Sequence, residues 1–236
     1  MSVGPPGPPA PVTSVAGAIT QMEAIEAATP PGDGLACFNR MYLGVTREVY
    51  SELGQQFYAD PVFMTALDVA FANLYFAAAA ACAAGNPAAV PLAWRPLIEQ
   101  RAAAGIEPIQ FALAGMNAHI NHDLPLAVVS TCAQLATSPA AGAHLADYQK
   151  VDQLLDAAEQ SVRQSFESAP ELAVDHHLQA VGNLVASWTI NSARDIAWSN
   201  SLLLWELRDI PAARELFLDS LAAGTAAASR MLLVAV

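Results

Sequence analysis

From residue 19 onward, apolar side chains recur every three or four positions in long runs, and proline and glycine rather than alternating residues cut those runs. No stretch alternates apolar and polar residues over a useful length, so strands have no support and the chain is expected to be all-α. The breaks set the expected helices. A short one over 19–28 stops at Pro30, Pro31, Gly32 and Gly34, and a longer one covers 37–57. The next opens on Asp60 as N-cap with Pro61 as first helical residue and runs to 84, ahead of Gly85-Asn86-Pro87. Segments 92–104 and 108–137 follow, divided near Gly105 and closed by 138–142. Two long helices over 143–168 and 173–208 flank Pro170, and the last begins at Pro211. At 236 residues without an internal linker, this predicts a single-domain bundle of seven or eight helices over 18–236. A disordered tail is expected over 1–17, Gly- and Pro-rich in its first part.

Hydrophobic residues make up 54% of the chain and charged residues only 14%, so each polar group inside an apolar run calls for a reason. A formal charge of −12, with Lys150 the single lysine, opposes phosphate backbones and anionic lipid surfaces and excludes nucleic acid as a partner. Cys37, Cys82 and Cys132 are widely spaced and odd in number, which fits core thiols in a reducing cytoplasm. The most apolar run, 69–84, carries Asn73 and falls short of the roughly 20 residues a spanning helix needs, so no stable membrane insertion is expected. Gly-rich phosphate loops, Gly-x-Ser-x-Gly, His-Glu-x-x-His and Glu-x-x-His are all missing.

The densest polar chemistry lies in Asn117-Ala-His-Ile-Asn-His-Asp123. Helical spacing carries Ile109, Leu113, Met116, His119, Asp123 and Leu126 along one face, so His119 and Asp123 occupy core positions. Four residues apart, the carboxylate can hold an imidazole nitrogen, fix its tautomer and raise its basicity. Pro125 removes a backbone donor and crowds the carbonyl of Asn121, so a kink is expected within one turn of the cluster, with that carbonyl free to face a ligand.

A second stripe, Leu184, Trp188, Asn191, Asp195, Trp198, Leu202 and Trp205, steps by four and three and places Asp195 inside a tryptophan seam. A carboxyl there is either paired or carries a raised pKa, and the second case makes it an acid. Asp68 beside Tyr75, Tyr148 beside Asp152, and Asn39 with Tyr42 sit at edges of apolar faces and are further ligand-facing candidates. His119, His122 and Asp123 fall at i, i+3 and i+4, so a divalent metal such as zinc, serving a metal-dependent hydrolase, is the alternative cofactor reading.

The run Phe111-Ala-Leu-Ala-Gly-Met-Asn-Ala-His-Ile-Asn-His-Asp-Leu-Pro125 resembles the His-Ile-Asn-x-Asp-Leu-Pro hallmark of the domain of unknown function 5995 family. Phe38-Asn-Arg-Met-Tyr42, Leu67-Asp68 with Phe71-Ala72 and Tyr75, Ala93-Trp94-Arg95-Pro96, and Arg194 with Ala197-Trp198 add to the likeness. The resemblance implies a helical fold and a role for His119, Asn121 and Asp123, and no reaction. From the residues themselves, the leading expectation is an enzyme of secondary metabolism without cofactor. It would cyclise, isomerise or dehydrate an apolar polyketide-like or lipid-like molecule with His119, Asp123, Asn121 and Asp195 as catalytic groups. Asn39, Tyr42, Asp68, Tyr75, Tyr148, Trp188, Asn191 and Trp198 would hold the substrate. A non-catalytic lipid-binding module or scaffold is the other alternative, and a homo-oligomer is left open.

Overall fold

The computed structural model describes residues 10–53, 56–167 and 190–235, with side-chain placement outside 156–167. Among these residues there are helices and no strand, forming an all-α bundle. The helices are α1 (Val15–Ala28), α2 (Gly34–Leu53), α3 (Pro61–Ala83), α4 (Arg95–Gln100), α5 (Pro108–Ala118), α6 (Leu124–Gln134), α7 (His144–Glu167), α8 (Ile190–Glu206) and α9 (Pro211–Leu232). A π-helical turn, His119–Asp123, joins α5 to α6, and short 3-10 turns cover Pro87–Ala89, Leu92–Trp94 and Leu207–Asp209.

Proline and short polar caps set the helix starts, as the sequence suggests. The Asp60 carboxylate accepts from the Phe63 N–H at 2.9 Å at the head of α3, and Glu107 with Gln110 forms a capping box for α5. The first helix starts earlier than expected, at Val15, because the Ser14 hydroxyl caps Gly17 at 3.0 Å. The stretch ahead of it is pinned too, since the Asn73 amide takes both the N–H and the C=O of Val12 at 2.9 Å. By length and composition α3 could cross a membrane; 44% of its most apolar window is buried inside the bundle.

The centre of the bundle is the crossing of α2 over α5, which two glycines permit. A Cβ on Gly115 would stand 2.5 Å from the Phe38 ring, and one on Gly34 would stand 2.5 Å from the Phe111 ring. Each helix thus sends a phenylalanine into the gap left by the other's missing side chain. Phe38 is fully buried among the rings of Tyr42, Tyr75, Trp94 and His119 and has nowhere to yield. Gly115→Ala gains about 1 kcal/mol of helix propensity but overpacks this contact at a cost of about 2–3 kcal/mol or more. A net loss of at least ~1 kcal/mol is expected in urea unfolding.

Helix α9 closes over the other side of α5. The Gln110 amide donates to the carbonyls of Leu232 and Val234 at 2.8 and 2.9 Å, and the Asn117 amide donates to the Thr225 carbonyl and the Ser229 hydroxyl, both at 2.9 Å. Helix α7 is tied to the head of α3 by Asp147, which is fully buried and accepts from the Ala59 and Asp60 N–H groups at 2.9 and 2.6 Å and from Lys150 Nζ at 2.8 Å. Burial pushes this carboxyl up, and Lys150 with the two amides more than offsets it, so its pKa lies below the ordinary value. The stabilisation is therefore present above the unfolded-state pKa of about 4 and is lost as pH falls through the lower folded value. Asp147→Asn should cost about 1–3 kcal/mol at pH 7, and the gap from the parent should close in unfolding curves taken below about pH 3.

Candidate functional site

Pro125 distorts the helix that carries the polar cluster, but not as a simple kink. The Leu124 N–H reaches back five residues to the His119 carbonyl, so the turn ahead of the proline widens into a π turn and the chain continues as α6 with Pro125 in its first turn. Residues four apart on such a turn lie nearly above one another, and His119 Nδ1 stands 3.1 Å from Asp123 Oδ2. The same carboxylate oxygen accepts from the Trp94 indole N–H at 2.9 Å, while His122 Nδ1 meets Oδ1 at 2.7 Å. Three ring nitrogens converge on one carboxylate.

That convergence fixes protonation. Burial alone would raise the Asp123 pKa, but the hydrogen bonds from His119 and His122 hold it below the ordinary value, so the carboxylate stays ionised. An ionised carboxylate only accepts, so the His119 proton is assigned to Nδ1 and its Nε2 carries a bare lone pair. Burial lowers the His119 pKa, with the Asp123 hydrogen bond opposing it only in part, and the ring is neutral at pH 7. Phe71 stacks on this imidazole at 3.5 Å between centroids and 5° between planes, and Tyr42 meets its edge at 4.5 Å.

Nε2 of His119 is buried without a hydrogen-bond partner, and His119 lines a cavity between α2, α3, the π turn, α7 and α8. The cavity holds about 60 Å³, or about 630 Å³ when all non-protein space around it, open solvent included, is counted. Met64, Leu67, Phe71, Met116, Ile120 and Val151 give it a mostly apolar wall. Two more of its lining side chains carry buried polar atoms without partners, the hydroxyl of Tyr42 and Oδ2 of Asp68. Burial raises the Asp68 carboxyl to about 7, so at neutral pH its protonated and ionised forms are comparably populated. Burial, and secondarily the charge of Asp68, pushes Tyr42 well above the usual phenol range, opposed only in part by the neighbouring Thr46 hydroxyl, which is itself buried without a hydrogen bond of standard geometry, and Tyr42 keeps its proton. Arg194 also lines the cavity, but its Nε is bound to Asp152 at 2.5 Å, its terminal nitrogen donates to the Tyr148 carbonyl at 2.6 Å, and its plane lies 4.1 Å over the Tyr148 ring.

The structure redistributes several residues chosen from sequence. Asp195, expected inward as the opposing acid, is exposed on the outer face of α8 and is not part of the cavity wall. The buried face of α8 is Ile190, Ala193, Arg194, Ala197, Trp198, Ser201 and Leu204, one position out of phase with the tryptophan stripe. Small residues on that face allow close approach to α6, and Leu202 points outward instead. Asn121 does not face the cavity; its amide donates to Asn117 Oδ1 at 2.9 Å. Asn39 and Tyr75 are fully buried and serve each other, with Tyr75 donating to Asn39 Oδ1 at 3.0 Å while the Asn39 amide donates to the Met22 carbonyl. Tyr148 is at the cavity, but its hydroxyl donates to the Arg194 carbonyl at 2.7 Å. Trp198 packs on Tyr148 at 4.7 Å between ring centroids, and neither it nor the half-buried Asn191 is a lining residue. Trp188 lies outside the described residues. Among the described residues no group of three or more His, Cys, Asp or Glu is placed to hold a metal ion, because His119 and His122 both turn Nδ1 onto the carboxylate that was to be their fellow ligand.

A family model described as a family of unknown function, DUF5995, matches residues 15–235. The chain belongs to this family. No curated protein and no solved structure matches it. In this DUF5995 member, two contributions to the site were not assigned from sequence. Trp94, 29 residues ahead of Asp123, clamps that carboxylate, and Phe71 stacks on the imidazole. Both residues fall within segments that carry the family likeness, which was the available signal.

Proposed function

We propose that this protein is a cofactor-independent acid–base enzyme, an isomerase or lyase, that acts beside the carbonyl of a small and mostly apolar substrate. The observation that carries the reading is that three buried, unpartnered polar atoms, His119 Nε2, Asp68 Oδ2 and the Tyr42 hydroxyl, belong to side chains lining one apolar cavity. Buried polar groups left unpaired cost about 1–3 kcal/mol each, and a catalytic role is a reason for keeping them.

In this reading Asp68, a group assigned only to substrate binding from sequence, takes the acid's place in the pair. His119 Nε2 takes the proton from the carbon next to the carbonyl, and the C–H electron pair becomes the C=C of an enol. The Asp68 carboxyl gives its proton to the carbonyl oxygen, and the Tyr42 hydroxyl donates to the same oxygen. With an α-hydroxyl the enol is an enediol, and the substrate isomerises when His119 returns its proton to the former carbonyl carbon while the second hydroxyl gives its proton to the Asp68 carboxylate and becomes the new C=O. Departure of a β-hydroxyl, which takes the His119 proton and leaves as water while the enol O–H returns its proton to Asp68 and the C=O re-forms, dehydrates it. Asp123 and Trp94 are positioning residues that hold the imidazole in the productive tautomer. A cavity volume of about 60 Å³ suits a small substrate better than a whole polyketide or lipid.

The test follows deuterium from heavy water into cyclopentanone, 3-hydroxy-2-butanone and 4-hydroxy-2-butanone by proton NMR. The wild-type protein is expected to speed exchange, or loss of water, over buffer, and His119→Gln to return it to the buffer rate. A wild-type protein no faster than buffer with all three compounds overturns the reading.

A further inference from the structure

We infer that the cavity selects an uncharged short-chain hydroxy-ketone or hydroxy-aldehyde, because its three unpaired polar atoms demand one acceptor and one donor from the same ligand. This rests on the acid–base reading above and specifies its substrate. His119 Nε2 is a lone pair and needs a donor, whereas the Tyr42 hydroxyl carries a hydrogen and needs an acceptor, as does the carboxyl of Asp68 in its protonated form. A ligand carbonyl flanked by a carbinol satisfies all three. A carboxylate ligand brings acceptors only, so it leaves Nε2 facing a negative oxygen. An alkylammonium brings donors only, so it strands the Tyr42 hydrogen.

Charge points the same way among the described wall residues. Helix α2 offers Tyr42, α3 offers Asp68, the π turn offers neutral His119 backed by Asp123, α7 offers Tyr148, and α8 offers Arg194. Arg194 is the cation among them, and Asp152, the Tyr148 carbonyl and the Tyr148 ring already engage it. Among the described residues an anion entering this space finds no free countercharge. The methionine and aliphatic wall accommodates the short carbon chain.

Three four-carbon probes test the inference on the full chain: 3-hydroxy-2-butanone, butanoate and butylamine, each titrated at pH 6.5 while the His119 ring and the Met64 and Met116 methyls are followed by NMR. The ketone is expected to saturate and shift all three signals, and the two charged probes to bind at least tenfold more weakly. Tyr42→Phe, which keeps the ring, should weaken the ketone about tenfold, the value of one lost hydrogen bond. Butanoate or butylamine binding as tightly as the ketone overturns the inference, and so does the absence of shifts with all three. Ketone binding without deuterium exchange sinks the catalytic reading and leaves the ligand class standing. Exchange into ketones together with equal binding of butylamine has the reverse meaning.

Discussion

His119→Gln lowers turnover of whichever ketone proves active by about 10²–10⁴-fold, the usual contribution of a positioned general base. Glutamine approximates the size of the ring and can still donate to Asp123 Oδ2, but it offers the cavity no nitrogen that can accept a proton at neutral pH. The loss is therefore expected in kcat, with KM little changed. The pH profile separates this from a structural defect. Activity needs His119 neutral and Asp68 protonated at once. The profile should fall on the alkaline side near pH 7 as Asp68 ionises, and on the acid side below the ordinary imidazole value of about 6.5. In the glutamine variant the acid limb should vanish while the circular dichroism and the unfolding midpoint stay close to the parent's. An unchanged acid limb would assign it to a different group.

Asp68→Asn is expected to abolish activity and to stabilise the protein above pH 7. The folded-state carboxyl is raised to about 7 from an unfolded value near 4, so its contribution to stability is present below pH 4 and is lost as pH rises through the folded value. The rise from about 4 to about 7 corresponds to an upper limit of about 4 kcal/mol at pH 8, and partial exposure to the cavity reduces it to about 2–3 kcal/mol. Asparagine is neutral at every pH and escapes that loss. Urea unfolding of both proteins from pH 4 to 8 should show curves that are close at pH 4 and diverge steadily, with the variant above. A variant less stable than the parent at pH 8 would mean that Asp68 has a partner in the folded protein.

Helix class, most helix starts and the inward aim of the His119–Asp123 pair were legible because each rests on local rules. Asp60-Pro61, Pro108 and Pro211 announce helix starts through the geometry of one turn, and a four-residue spacing survives the widening before Pro125. The opposing acid was not legible. On α8 the large tryptophans dominate any hydrophobic stripe, but burial follows Ala193, Ala197 and Ser201, whose smallness permits close packing and whose apolar signal is weak. On α3 nearly every face is apolar, so periodicity alone could not say which side Asp68 takes. The Trp94 clamp joins residues 29 apart and depends on how the segment ahead of α4 folds back, which no local pattern encodes.

The paired glycine–phenylalanine contacts between α2 and α5 also decide where the cavity can give way. Two helices that interlock at both Gly34 and Gly115 move as one body, and that body carries Tyr42 and Met116 and leads directly into the π turn with His119. The wall bearing the proton acceptor is thus the stiff one. The facing side is formed by α7 and α8, joined to each other by the Arg194–Asp152 ion pair, two hydrogen bonds between Arg194 and Tyr148 and the stack of the guanidinium on the Tyr148 ring. A substrate too large for this cavity would be admitted by displacement of α7 and α8 together, which changes the volume without changing the distance between His119 and Tyr42.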